Sequence, residues 1–231
     1  MGIRRGSITT PIVVDGLVLN MDAANRSSYP KTGTTWTDTI DGNNGTLTNG
    51  PVFNSADGGS IDFDGSDDYV LTPFTFPKSD IISINLWAKH SSITTSANPG
   101  LFQCQNNGSS PTSTKVIGGW VQSNGIVWGR VIDTSGTKNL PRIAESTISV
   151  GDWFYFSFIA DGSNYKLYIN GDFKTEIAYN GTINNYNRIF LAIQGSEPSD
   201  CNISNVHIYN RALSASEVLQ NYNALKGRFG L

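Results

Sequence analysis

Apolar and polar residues alternate with a period of two along most of this chain, the spacing of half-buried β-strands. In the stretch 59–70, GSIDFDGSDDYV, Ile61 and Phe63 alternate with Asp62 and Asp64. Gly65 supplies the positive φ of a tight turn, and Tyr69, Val70 and Leu71 restart an extended segment. From 82 to 90, Ile82, Ile84, Leu86 and Ala88 share one face while Ser83, Asn85, Trp87 and Lys89 share the other. Strands are predicted at 100–105, 116–122 and 126–132. The last two flank Ser123-Asn124-Gly125, the signature of a tight hairpin. Segments 153–160, 165–170 and 172–177, separated by Asp-Gly-Ser-Asn and Asn-Gly turns, predict a three-strand meander. Two more strands are expected at 188–194 and 202–209, and a first one at 12–21 with a kink at Gly16. Residues 25–58 read as loop, with short strands at 45–47 and 52–53.

The period changes to a helical one only near the end. Ser214 caps a predicted helix over 215–225, and Glu217 completes a capping box. Leu213 and Val218 stand at the positions of a hydrophobic staple. Val218, Leu219, Tyr222 and Leu225 form an apolar stripe expected to pack on the sheets, and Gly227 is expected to stop the helix. At the other end, residues 1–11 lack apolar periodicity and read as a flexible arm, which leaves 12–231 as one domain.

Composition agrees with many short strands joined by polar turns. The chain has 231 residues, 24 of them Gly, with 15% charged and 38% hydrophobic residues, enough for one large β domain with a core. The net charge of −3, with no basic run beyond Arg4-Arg5, gives nucleic-acid binding no electrostatic support. No apolar run is long enough for a membrane-spanning helix, and the N-terminus does not read as a signal peptide. Cys104 and Cys201 lie far apart in sequence and are expected as free thiols, with a disulfide the alternative if their strands are neighbours. The fold expected from these patterns is all-β, a two-sheet antiparallel sandwich with one short C-terminal helix.

Four blocks resemble laminin-G-like, concanavalin-A-like jelly rolls. They are FDGSDDYV (63–70), SINLWAKHSS (83–92), GDWFYFSFIADGSNYKLYINGD (151–172) and NVHIYNRALSASEVLQNY (205–222). The resemblance covers most of 12–225 and implies a jelly-roll fold that lectins, glycanases, adhesins and structural modules share. The family often has Phe-x-Gly-x-Ile-Asp before its closing strand. Cys201-Asn202-Ile203-Ser204 stands there instead, which removes one acid from a loop that sometimes binds metal. The opening block VVDGLVLNMDAANRSSYPKTGTTWTDT (13–39) and the ending NALKGRFGL resemble a narrower group, phage virion proteins of tails, fibres or head surfaces. That resemblance implies a virion location.

Candidate chemistry was weighed residue by residue. A glycanase needs two opposed carboxylates. The four glutamates, Glu145, Glu176, Glu197 and Glu217, have no acidic neighbour two residues away, so no enzyme activity is expected. His90 and His207 are expected as ordinary strand residues, since no G-x-S-x-G elbow accompanies them. No cofactor is expected except calcium, whose oxygen ligands would come from Asp22, Asp64, Asp67, Asp68 and Asp200. Asp67 and Asp68 also suit a plain turn-capping role. Trp36, Trp120, Trp128 and Tyr186 are the candidate sugar platforms, while Trp87 and Trp153 are assigned to packing. In the arm, Ile3, Arg4, Arg5 and Ile8 are candidates for docking on other virion proteins or on sister subunits of a homo-oligomer. The resulting expectation is a non-catalytic virion structural protein, a capsid decoration or a tail or fibre component, presenting a lectin-like domain. A carbohydrate-binding adhesin for host-surface glycans and a glycan-cleaving enzyme are the two alternatives.

Overall fold

The computed structural model describes residues 10–76, 81–92, 99–106, 117–122, 125–132, 138–139, 148–179 and 186–231. The first nine strands are β1 (Leu17–Asp22), β2 (Thr35–Trp36), β3 (Gly45–Thr48), β4 (Val52–Asn54), β5 (Ser60–Asp64), β6 (Tyr69–Thr72), β7 (Ile81–His90), β8 (Gly100–Gln105) and β9 (Ile117–Val121). The others are β10 (Val127–Ile132), β11 (Lys138–Asn139), β12 (Trp153–Asp161), β13 (Asn164–Ile169), β14 (Asp172–Ala178), β15 (Arg188–Leu191), β16 (Ile193–Gln194), β17 (Glu197–Pro198) and β18 (Asp200–Tyr209). One α-helix, α1 (Ala215–Leu225), runs into a 3-10 turn at Lys226–Phe229. The arm candidates Ile3, Arg4, Arg5 and Ile8, and Glu145, lie outside the described residues.

Two eight-stranded antiparallel sheets make the sandwich, as the alternation predicts. Sheet I runs β14-β13-β12-β7-β18-β5-β4, with β1 also paired to β18. Sheet II runs β11-β10-β9-β8-β15-β6-β3-β2. The core between them takes Ile84, Leu86, Phe156, Phe158, Val206 and Ile208 from sheet I and Phe102, Ile117, Val127, Ile189 and Leu191 from sheet II. Each such side chain contributes roughly 1.5–3 kcal/mol when removed from water. Gly119 marks how closely the sheets approach, since a Cβ there would meet Phe156 of sheet I at 3.0 Å.

The coordinates show one crossing between sheets and correct three local expectations. β5 and β6 are not neighbours: β5 pairs with β18 in sheet I, and β6 pairs with β15 and β3 in sheet II. The acidic turn between them therefore crosses from one sheet to the other at the rim. Gly65 there has φ 75°, and a Cβ would stand 2.9 Å from that of Asp200. The first strand begins at Leu17 rather than residue 12, because Gly16, at φ 74°, turns the chain just before it. The predicted strand 188–194 is split at Ala192, whose φ is 62°. The helix ends where expected, but Gly230, at φ 76°, supplies the left-handed residue, and Gly227 lies inside the 3-10 turn.

The outer face of β7 is buried, although its sequence there reads half polar. Trp87 on that face stacks on Phe229 at 4.3 Å and on Tyr222 at 5.5 Å. Trp153, Tyr155, Ile159, Tyr209, Leu213 and Val218 complete this second cluster, so the C-terminal segment seals sheet I from outside. The seal is also hydrogen-bonded. Ser83 Oγ donates to the Arg211 carbonyl at 2.7 Å and accepts from Leu213 N at 2.9 Å. Asn221 accepts from Val13 N at 2.8 Å and donates to the Tyr209 hydroxyl, which donates to the Val13 carbonyl at 2.9 Å. The capping box forms as predicted, with Ser214 N donating to Glu217 at 2.8 Å. Arg211 clamps the same carboxylate at 2.6 Å and holds its pKa down to about 2.

Candidate functional site

Sheet II turns a different set of side chains outward. In β10, Val127 and Val131 enter the core, so Trp128 and Arg130 point the other way. In β9 the same alternation sends Gly118 and Trp120 outward. The antiparallel register sets Trp120 opposite Trp128 and Gly118 opposite Arg130. The two indoles stack with centroids 5.8 Å apart and planes 10° from parallel. The Arg130 guanidinium lies over the Trp120 ring, 5.3 Å from its centroid. Gly118 contributes no side chain beside it.

Polar groups continue this face across β8 and β15. Gln103 and Gln105 are buried, and the first donates to the second at 2.6 Å. Gly195 N donates to Gln103 at 2.6 Å, which fixes the amide from the β16–β17 turn. Arg188 stands beside Gln105 in register. The strands of sheet II contain Arg130, Lys138 and Arg188 but neither Asp nor Glu. Among the described residues no acidic side chain pairs with Arg130. Its Nε and Nη2 atoms are out of contact with solvent and have no hydrogen-bond partner, and burial lowers its pKa. Stacked aromatics, buried amides and a half-buried cation form the mixed apolar and polar surface by which small ligands are held.

The structure brings together two of the four predicted sugar platforms, Trp120 and Trp128. Trp36 is fully buried in the core, and Tyr186 is also at 0% exposure, so neither offers a ring to solvent. Asp38, two residues after Trp36, organises its loop by accepting from Asn20 N, Ile40 N, Asp41 N and Asn43 N. The Gly-Thr-x-Trp-x-Asp run is therefore structural. Arg130, Gln103 and Gln105 were missed in sequence. The one available signal was Arg130 standing two residues after Trp128 in an alternating strand.

The predicted acids divide into two places. Asp64, Asp67 and Asp68 present carboxylate oxygens within 4.8 Å of one another at the crossing turn, and register sets Asp200 beside Asp64. Two of them already serve that turn: Asp68 accepts from Asp64 N at 3.2 Å, and Asp64 from Ser66 N at 2.8 Å. Burial raises the pKa of Asp68 and of nearby Asp62. Asp22 is elsewhere, bound to Arg228 at 2.9 Å. That pair joins the opening block to the chain's last turn, and Arg228 also donates to the Gly59 carbonyl at 3.1 Å.

His90 and His207 are both buried, and burial lowers each pKa to about 4. Cys104 and Cys201 are free, buried thiols, pushed up by the same cause. A cleft of about 480 Å³ opens on the sheet I side, lined in part by Asp57, Lys89, Trp153 and Phe229. Its polar groups satisfy one another. Trp153 Nε1 donates to Asp57 at 2.8 Å, and Lys89 lies 3.6 Å from the same carboxylate.

With this geometry established, comparison places the chain. It belongs to the concanavalin A-like lectin/glucanases superfamily, whose family model matches residues 64–219. Solved structures of the same fold include the botulinum neurotoxin type G receptor binding domain, at TM-score 0.67 and 17% identity over 90% of this chain and 51% of that one. The binding domain of botulinum neurotoxin DC in complex with SialylT matches at TM-score 0.69 and 14% identity, over 91% and 51%. Trypanosoma rangeli sialidase in complex with sialic acid matches at 0.70 and 14%, over 96% and 36%. The chain thus spans about half the length of the toxin domains and about a third of the sialidase. At these identities the likeness is one of fold, which binding domains and a hydrolase share. No curated protein matches the chain.

Proposed function

We propose that this chain is a non-catalytic display module of a phage virion that binds a saccharide on the outer face of sheet II. The observation that carries the binding half is the parallel Trp120–Trp128 stack with Arg130 over it. Indole faces accept the C–H faces of a sugar ring, while an adjacent guanidinium can hold its oxygens. Solved relatives captured with SialylT and sialic acid agree with this reading. A glycan array probed with the whole chain and with Trp128→Ala tests it. The proposal expects wild-type signals that the variant loses, and an array without signal overturns it.

The non-catalytic half rests on how the acids and histidines are engaged. Glu217 is locked into the helix cap, Asp64 and Asp68 accept from the crossing turn, and both histidines are held neutral by burial. Release of sugar from any polysaccharide bound on the array would contradict it. The virion half rests on the opening block and the NALKGRFGL ending, which resemble phage virion proteins and meet through Asp22 and Arg228. In this reading the arm, through Ile3, Arg4, Arg5 and Ile8, docks the domain on its particle or on sister copies. Deleting residues 2–10 then abolishes incorporation into particles, and unchanged incorporation refutes the docking role.

A further inference from the structure

We infer that the outer face of sheet II selects saccharides that carry a carboxylate, and that Arg130 is the residue that reads it. The inference rests on the saccharide-binding reading above and adds the ligand's charge to it. The first ground is an unbalanced cation. Arg130 is half-buried, and its Nε and Nη2 atoms touch neither solvent nor any hydrogen-bond acceptor. A buried charge is stable only when paired, and removal of one partner from such a pair leaves the other uncompensated. Two other partly buried arginines do have acids. Arg211 has Glu217 and Asp15, and Arg228 has Asp22. Arg130 has an indole.

The second ground is the chemistry around it. The strands of sheet II supply no carboxylate, and Arg188 adds a second cation two strands away, beyond β9 and β8. A planar guanidinium with two free donors on one edge fits the two oxygens of a carboxylate, and fits a hydroxyl less well. Gly118, opposite Arg130 in register, leaves its side of the strand pair without a side chain. A sugar ring lying on Trp128, the partly exposed member of the pair, would bring a ring carboxylate toward the guanidinium, which lies over the buried Trp120 ring 5.3 Å from its centroid. Gln103 and Gln105 are neutral and bonded to each other, so they favour neither sign.

The test is an array printed with matched triplets, each a uronic-acid oligosaccharide, its methyl ester and the neutral parent sugar. The whole chain, Arg130→Gln, Arg130→Lys and Trp128→Ala are compared, with thermal melting to confirm that each folds. The expected wild-type result is binding of the acid at least about tenfold tighter than the ester and the neutral parent, the scale set by one charge-assisted bidentate contact. Arg130→Gln should remove the preference for the acid over its ester and its neutral parent, Arg130→Lys should restore part of that preference, and Trp128→Ala should lose all three members. Equal binding of acid and ester by the wild type overturns the inference and leaves saccharide binding standing. So does an Arg130→Gln protein that keeps the preference, or a sulfated analogue that binds as tightly as the carboxylate. If no member of any triplet binds, the saccharide reading itself falls, and this inference falls with it.

Discussion

Both sheets of the sandwich carry tryptophans on their outer faces, and the two faces are completed differently. On sheet I, Trp87 and Trp153 are met by Tyr222 and Phe229 of the chain's own C-terminal segment. In the cleft beside them Trp153 Nε1 and Lys89 both meet Asp57. On sheet II, Trp120 and Trp128 meet each other, and among the described residues the cation over them pairs with no acid. The charge patterns differ too. Strands of sheet I carry Asp22, Asp62, Asp64, Asp161, Asp172, Glu176 and Asp200, whereas those of sheet II carry only basic residues. Aromatic residues on an outer face therefore do not by themselves mark a binding site. What separates the two faces is the C-terminal segment that covers the tryptophans of sheet I and the sign of the charges on the strands.

The comparison is broken most severely by removing the anchor of the sealed face. Trp87→Ala should destabilise the protein by roughly 3–5 kcal/mol in urea unfolding, the range for emptying a large buried aromatic site. Trp128→Ala should change stability far less, and an equal loss at both sites would erase the distinction drawn here.

Acid should weaken the fold through the two buried histidines. Their pKa falls from 6.5 to about 4 on folding, so the unfolded chain binds more protons between those values. Stability is thus complete above pH 6.5 and declines as pH drops toward 4, by up to roughly 3 kcal/mol for each histidine. Asp62 and Asp68 act in the opposite sense, because their raised pKa favours protonation of the folded form as pH falls through it. Urea midpoints between pH 7 and pH 4.5 check the sum, and a flat profile would contradict the burial of the histidines.

Smaller effects sharpen the contrast. Ser214→Ala removes the helix cap that holds the seal over sheet I and should cost about 1 kcal/mol. Arg130→Gln removes a half-buried charge that no acid among the described residues balances, and it should leave stability within about 0.5 kcal/mol or raise it. A marked loss from Arg130→Gln would mean that the cation is structural.

How much of this was legible in sequence depended on how local the cause was. The β-meander 153–177 and the capping box at Ser214 and Glu217 are written in adjacent residues, and both form as read. Strand pairing across the whole chain is not local, which is why the turn after Asp64 gave no sign that it changes sheets. The sealing of Trp87 could not be read from its own strand, because Tyr222 and Phe229 lie more than a hundred residues away. The candidate site was half legible. Indoles in alternating strands announced Trp120 and Trp128, but the same rule also nominated Trp36, which the fold buries completely. Arg130 became visible only when pairing set it beside Trp120 and away from any acid.

The most direct test of a binding face on sheet II is hydrogen exchange on the whole chain, with and without the strongest saccharide from the array. The account predicts slowed exchange in 100–105 and 117–132, with 214–229 unchanged. Protection confined to the C-terminal segment and the cleft at Trp153, with sheet II unaffected, would contradict it.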